Sequence, residues 1–453
     1  MNILPLKRQL QSRISFKQMF IPLELITEIL SLLNVKDIQR FRCVSKSWNT
    51  FIFDSTFTKR HLEVPSRNPH LVLSIPECPL TCVVSVPVQR LLETQSITVV
   101  GDIYLSLKWG ISEVVGSCNG LICVLFKSIT NVETKYKFCL WNPATRTISE
   151  KLGIFCENEP LISPFKFSFG CDYSTGTYKI VVLHTERNEG AESDDDIWIS
   201  KVRAFNLGDS CWRYIQSFPL IPLVWNDGVH LSGTINWLSI HGAYISMSDG
   251  ERFRAFIPDV KQLVIVSLDL SSETYTQFLL PKGFNEVSCL EPSLRVMMDC
   301  LCFSHDFNKT ELVVWQMKEF GVHESWSQLF RIEYFNLQIN NPPIEDDFFY
   351  VEYMKCEIPL LPLFVSKDGD TLILAYDEID AVITYDQRKK TVKRTRISNE
   401  LIDWFTAVDY VESLVSTDWK SGDEGRDEDE DDDEYEDQLS DIDIGFGGWT
   451  GLY

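Results

Sequence analysis

Few stretches of this 453-residue chain carry side chains whose type and spacing suit catalysis or metal binding. Gly116-Ser117-Cys118-Asn119-Gly120 has the outline of a nucleophile elbow, in which the nucleophile sits on a sharp turn between a strand and a helix. The residues that follow, Leu121 to Phe126, read as a second strand, so a structural glycine turn is the preferred reading. Cys300, Cys302 and His305 are possible metal ligands. Alternating Cys-x-Cys puts both thiols on one strand face, and no fourth ligand stands at zinc-like spacing, so buried thiols are favoured. Asp194-Asp195-Asp196 and the acidic run at 423–443 lack the glycine and the spaced oxygens of a calcium loop. They read as a solvated loop and a disordered tail. There is no glycine-rich phosphate loop and no HExxH. His184, His230 and His241 have no evident partners in the sequence. No catalytic residue, metal or cofactor is expected.

The charge balance narrows the partners. The net charge is −23. Between Asp423 and Asp443 stand fourteen acidic residues and one base, Arg426, so −13 lies in that tail and −10 is left for the rest. Phosphate backbones demand clustered Lys and Arg, so nucleic acid is not an expected partner. An acidic run can dock on a basic partner, but a solvated tail with no role is the simpler reading. No apolar run reaches the roughly 18–20 residues of a membrane span, so no membrane partner is expected. Met1 to Phe20 holds Lys7, Arg8, Arg13 and Lys17 and no continuous apolar stretch, unlike a secretory leader. The 13 cysteines form no CxxC pair, which suits a reducing cytosol or nucleus.

Two kinds of element must position whatever function exists. After a flexible lead at 1–20, residues 21–65 read as three short helices. Pro22 suits a first helical turn and Glu24 the positive end of the helix dipole. In that first helix Glu24, Thr27, Glu28 and Ser31 make one narrow polar stripe, while Leu23, Leu25, Ile26, Ile29, Leu30, Leu32 and Leu33 are apolar. A helix apolar around most of its circumference needs a second body to cover it. Val35, Ile38 and Phe41 are expected to face inward from the second helix. Ser45 is expected to cap the third, which carries Trp48, Phe51 and Ile52, and Asp54 a last turn with Phe57, His61 and Leu62. From 71 to 415 short apolar or alternating runs are divided by turn residues, which indicates strands. A strand–turn–strand unit recurs around Asn142, Asn206, Asp269, the Trp315–Trp326 segment and Asp386. Asn or Asp at such a turn can bond its own backbone two residues on. The spacing, roughly 45 to 70 residues, brackets the propeller repeat of about 50. The expected fold is therefore α+β multidomain: a small helical module, then a mostly antiparallel β-propeller of about six blades, with a two-sheet sandwich as the alternative. Residues 421–453 form the acidic tail.

Ile21-Pro22-Leu23-Glu24-Leu25-Ile26-Thr27-Glu28-Ile29-Leu30, then Phe41-Arg42-Cys43-Val44-Ser45-Lys46-Ser47-Trp48, then Phe57 and His61-Leu62, closely resembles the plant F-box. Val114 to Cys123, Leu140 to Thr145, Phe169 to Asp172 and Tyr178 to Val181 resemble the F-box-associated, kelch-like domain of the same proteins. The resemblance implies a helical module that docks on a Skp-family adaptor and through it on a cullin, with Ile21, Pro22, Leu25, Ile29 and Val44 at the interface. Phe41 and Trp48 are expected in the module's own core. It also implies that the β domain selects a protein substrate for ubiquitination, the substrate being unnamed. Ile21-Pro22 and Leu33-Asn34 stand where the family often has Leu-Pro. Val224-Trp225-Asn226-Asp227 and Asn236-Trp237 are possible substrate anchors. Two rivals are a ligase-independent binding scaffold or inhibitor and an enzymatic β domain.

Overall fold

The structure is a computed structural model. It describes residues 22–63, 69–77, 80–97, 104–107, 111–130, 133–157, 165–187, 198–223, 227–241, 244–248, 252–256, 260–286, 291–337, 360–376, 381–397, 403–419 and 442–445. Residues 1–20, Ile21, Asp194 to Asp196, Trp225 and the acidic run up to Asp441 lie outside them. The chain forms two units, Met1–Pro65 and Ser66–Tyr453.

The first unit holds α1 (Leu23–Ser31), α2 (Val35–Phe41), α3 (Lys46–Ile52) and α4 (Ser55–Glu63). Each start has a local cause. Pro22 precedes α1 in an extended conformation, and its carbonyl accepts from Leu25 and Ile26 at 3.1 and 3.2 Å. It is thus the cap of α1 and not its first turn. Asn34 Oδ1 accepts from Asp37 N at 2.8 Å, Ser45 Oγ from Trp48 N at 3.3 Å and Asp54 Oδ1 from Thr56 N at 2.9 Å. The last turn expected after Asp54 is a nine-residue fourth helix. Leu30, Val35, Ile38, Ile52 and Phe57 are buried and make the core. His61 Nε2 reaches Leu33 O at 3.0 Å and ties α4 to the end of α1.

The second unit is a six-bladed propeller. Blade 1 opens with β1 (Pro69–Glu77) and β2 (Leu80–Pro87), crosses through α5 (Val88–Glu93) and β3 (Ser96–Ile97), and adds β4 (Tyr104–Leu107). Blade 2 is β5 (Ile111–Cys118), β6 (Leu121–Ile129) and β7 (Thr134–Asn142), with β8 (Thr147–Ile148) and β9 (Leu152–Glu157) both paired to β7. Blade 3 is β10 (Lys166–Asp172), β11 (Thr177–Arg187), β12 (Trp198–Asn206) and β13 (Arg213–Tyr214). In blade 4, β14 (Ile221–Pro222) and β15 (Val229–Leu231) share the inner place beside β16 (Thr234–Ile240). A hairpin of β17 (Tyr244–Ser248) and β18 (Arg252–Phe256) intervenes before β19 (Leu263–Asp269) and β20 (Tyr275–Leu279). Blade 5 is β21 (Ser293–Met297), β22 (Cys300–Phe307), β23 (Glu311–Met317) and β24 (Trp326–Glu333). Blade 6 is β25 (Leu361–Val365), β26 (Thr371–Tyr376), β27 (Ala381–Asp386) and β28 (Thr391–Ile397).

The ring closes twice. β29 (Asp403–Val411) pairs antiparallel with β1 and supplies the inner strand of blade 1. β3 pairs parallel with β28 at the other edge of blade 6. Inner strands then neighbour one another in a full circle, β29, β5, β10, β15, β21, β25 and back to β29. Six apolar clusters lie between successive blades, with Trp141 and Trp237 the largest side chains buried in them. Closure leaves no inner edge exposed. β30 (Ile442–Gly445) pairs antiparallel with β4, so this part of the tail, expected to be disordered, adds a strand to the rim of blade 1.

Candidate functional site

The helical unit presents apolar surface that its own core does not use. On α1, Leu25, Ile29 and Leu32 are 53%, 55% and 49% exposed, an i, i+4, i+7 stripe. Val44, in the turn after α2, and Phe53, at the end of α3, are also exposed, and the Arg42 guanidinium lies 3.9 Å from the centre of the Phe53 ring. Exposed apolar side chains in this number on a small unit mark an interaction site. Pro22, Leu25, Ile29 and Val44, read from the sequence as adaptor contacts, are exposed. Leu32 and Phe53 complete the set and were not singled out by sequence, because an all-apolar helix does not reveal which face its own core covers. Phe41 is a correction. It is not core but about a third exposed, stacked on the half-buried Trp48 at 5.5 Å between ring centres. α2 is short, and its first turn supplies the buried pair Val35 and Ile38 while its last residue lies outside the core. Ser31, expected on the polar stripe, is buried and bonds Glu28 O at 2.8 Å.

In the propeller, Asn119 and Gly120 form the tight turn joining β5 to β6, with φ of 52° and 76°. Strand–turn–strand is what the sequence predicts for this glycine motif. Burial and the adjacent Cys171 thiol push the Cys118 thiol up, so it stays protonated at neutral pH. Cys302 and His305 are buried on opposite faces of β22, and Trp315 Nε1 donates to His305 Nε2 at 3.2 Å. No group of three His, Cys, Asp or Glu among the described residues is placed to hold a metal. His230, read as partnerless, is half-buried with Nε2 3.3 Å from both N and O of Cys171. His70 Nδ1 lies 3.0 Å from Ser85 Oγ and its Nε2 3.7 Å from Glu412 Oε1, an order of groups that resembles a hydrolytic triad. Ser85 is 6% exposed between paired strands, which closes it to a substrate. Trp237, a possible anchor, is 1% exposed and belongs to the core.

Inner strands of separate blades bring charge together at the propeller axis. Arg295 of β21 donates to Ala407 O of β29 at 2.7 Å. Asp409, on β29, has accessible surface yet is closely surrounded by protein. Lost hydration lifts its carboxyl to about 6, Asp299 adds to this and Arg295 opposes it. Lys166, on β10, is buried and faces Asp227 and Glu291.

The two ends of the propeller differ. One carries tight turns, including Asn119-Gly120, Ser232-Gly233 and Met298-Asp299, all with positive φ. At the other end lie the described strand ends that flank residues 158–164, 188–197, 242–259 and 338–359. Surface loops carried by a rigid scaffold are where binding residues concentrate.

Two family descriptions match the chain. "F-box domain" covers residues 20–60 and "F-box associated beta propeller domain" covers residues 79–417, about three quarters of the chain. An F-box/kelch-repeat protein of Arabidopsis thaliana is 25% identical over 326 residues, 69% of this chain and 79% of the relative. The F-box protein CPR1 of Arabidopsis thaliana is 24% identical over 396 residues, 84% of this chain and 85% of the relative. With the helical module ahead and a closed six-bladed ring behind it, the chain belongs to the family of F-box proteins that carry an F-box-associated β-propeller domain.

Proposed function

We propose that this protein is the substrate-recognition subunit of a Skp–cullin–F-box ubiquitin ligase, working in the cytosol or nucleus. The apolar stripe Leu25–Ile29–Leu32, exposed on a unit that already has its own core, carries this reading. An F-box implies a Skp-family adaptor in general, and such a stripe is the kind of surface an adaptor helix covers. The target engages the propeller end opposite the tight turns. Catalysis then belongs to a conjugating enzyme brought close, so the effective concentration of the target's lysine rises and no residue of this chain does chemistry. The test is co-expression with a Skp-family adaptor and a cullin. Recovery of all three in one complex supports the reading, and recovery of the cullin and adaptor without this chain refutes it.

A further inference from the structure

The outer long strand of blade 6, β28, flanked by β3 at Arg396 and Ile397, is basic in a strongly acidic protein. Residues 388–396 hold Arg388, Lys389, Lys390, Lys393, Arg394 and Arg396 and no acid, while the whole chain carries −23. Asp370 pairs with Arg388, and Asp386 with Lys389 at 3.0 Å. Lys393 donates to the carbonyls of Leu91 and Leu92, with Glu93 the acid beside it, and Arg394 donates to Leu337 O at 3.3 Å. Lys390 and Arg396 are exposed, and neither side chain has an ion-pair partner among the described residues. Local acids thus neutralise only part of this positive charge.

The same chain contains the complementary segment. Fourteen carboxylates lie between Asp423 and Asp443. Both ends of that segment are held. Trp419 packs edge-on against Tyr178, 5.9 Å between ring centres, and Ile442–Gly445 pairs with β4. The second anchor adjoins the basic edge, because Ile97, seven residues before Tyr104 of β4, is paired with Ile397 of β28. Seven residues span at most about 25 Å, and residues 420–441 at most about 75 Å, against a diameter of roughly 50 Å for a domain of this size. The acidic run can therefore lie along β28 without releasing either anchor.

We infer that the acidic tail docks in cis on the basic edge formed by β28 and the turn that leads into it. The contact is electrostatic and loses strength as salt screens it. The tail, tethered at both ends, meets β28 at an effective concentration in the millimolar range. This inference does not depend on the ligase reading.

The test is zero-length carbodiimide cross-linking of the full chain at low ionic strength, followed by mass spectrometry. Links from Lys389 or Lys390 to carboxylates of 423–437 are expected within the monomer. They should vanish at 0.5 M NaCl and fall at least about fivefold in Arg394→Ser/Arg396→Ser, which keeps every lysine. Links spread evenly over the exposed Lys282 and Lys318, links only between two copies, or no tail links at all would each overturn the inference. A second readout uses a labelled peptide of residues 423–441. It should bind a full chain whose own tail acids are replaced by Asn and Gln about tenfold more tightly than the wild type. Equal binding contradicts docking in cis.

Discussion

Glu273 sits at φ 57° in the turn between β19 and β20 and ties blade 4 to blade 3. Lys179 Nζ donates to its Oε1 at 2.9 Å, and Arg213 binds both carboxylate oxygens. The Arg213 hydrogen bonds above all, with Lys179, hold the carboxyl down at about 2. A lowered acid pKa stabilises the fold fully above the ordinary value of 4.5, and that contribution is lost as pH falls toward 2. Glu273→Ala leaves Lys179, whose side chain is 8% exposed, without its carboxylate, and should cost about 2 kcal/mol at pH 7 in chemical denaturation. The cost should shrink below pH 4. Asp409 behaves oppositely. Its raised pKa makes the charged form a liability above about pH 6. Asp409→Asn should raise the melting temperature at pH 7.5 and leave it unchanged near pH 4, a comparison that differential scanning calorimetry can make. His230 shows what sequence hides at this scale. Its partner is the backbone of Cys171 on another blade, which no local spacing encodes.

At the scale of elements, the tight turns are the most constrained. An added Cβ on Gly120, already at φ 76°, would lie 2.3 Å from Ser413 Oγ and 2.6 Å from Val411 O. Gly120→Ala should therefore destabilise by about 2 kcal/mol or more, measured as a shift of the urea midpoint. The recurring hairpins were legible because their cause is local. Asn142 Oδ1 accepts from Ala144 N at 3.1 Å, Asp269 Oδ1 from Ser271 N at 2.9 Å and Asp386 Oδ1 from Lys389 N at 2.8 Å. Each lies between the third and outer strands of its blade. Blade 1 lacks the signal because α5 and β3 occupy that connection. The helical module was legible in the caps Ser45 and Asp54, because that signal is local. Phe41 was misplaced because spacing in a seven-residue helix does not say which apolar residue the core has room for.

At the scale of the molecule, closure was the hidden feature. β29 pairs with a strand more than 300 residues earlier, a contact that no periodicity announces. The uneven repeat spacing also has a cause, since connections of very different length separate the strands, and blades 1, 2, 4 and 6 each carry a fifth strand. A chain ended after Ile402 loses Tyr410 and Ala407 from the core, together with the carbonyls of Ser413 and Val415 that Asn142 Nδ2 binds. It should show no cooperative thermal transition by circular dichroism, whereas a chain ended after Trp419 should keep one. The functional claim rests on the helical unit, and capture of a purified Skp-family adaptor tests it most directly. The wild type should bind it, and Leu25→Asp/Ile29→Asp should weaken binding at least about 100-fold with an unchanged melting curve, since both side chains are exposed in the free protein. A folded wild type that captures no adaptor, or a double variant that binds as tightly as the wild type, would contradict the account.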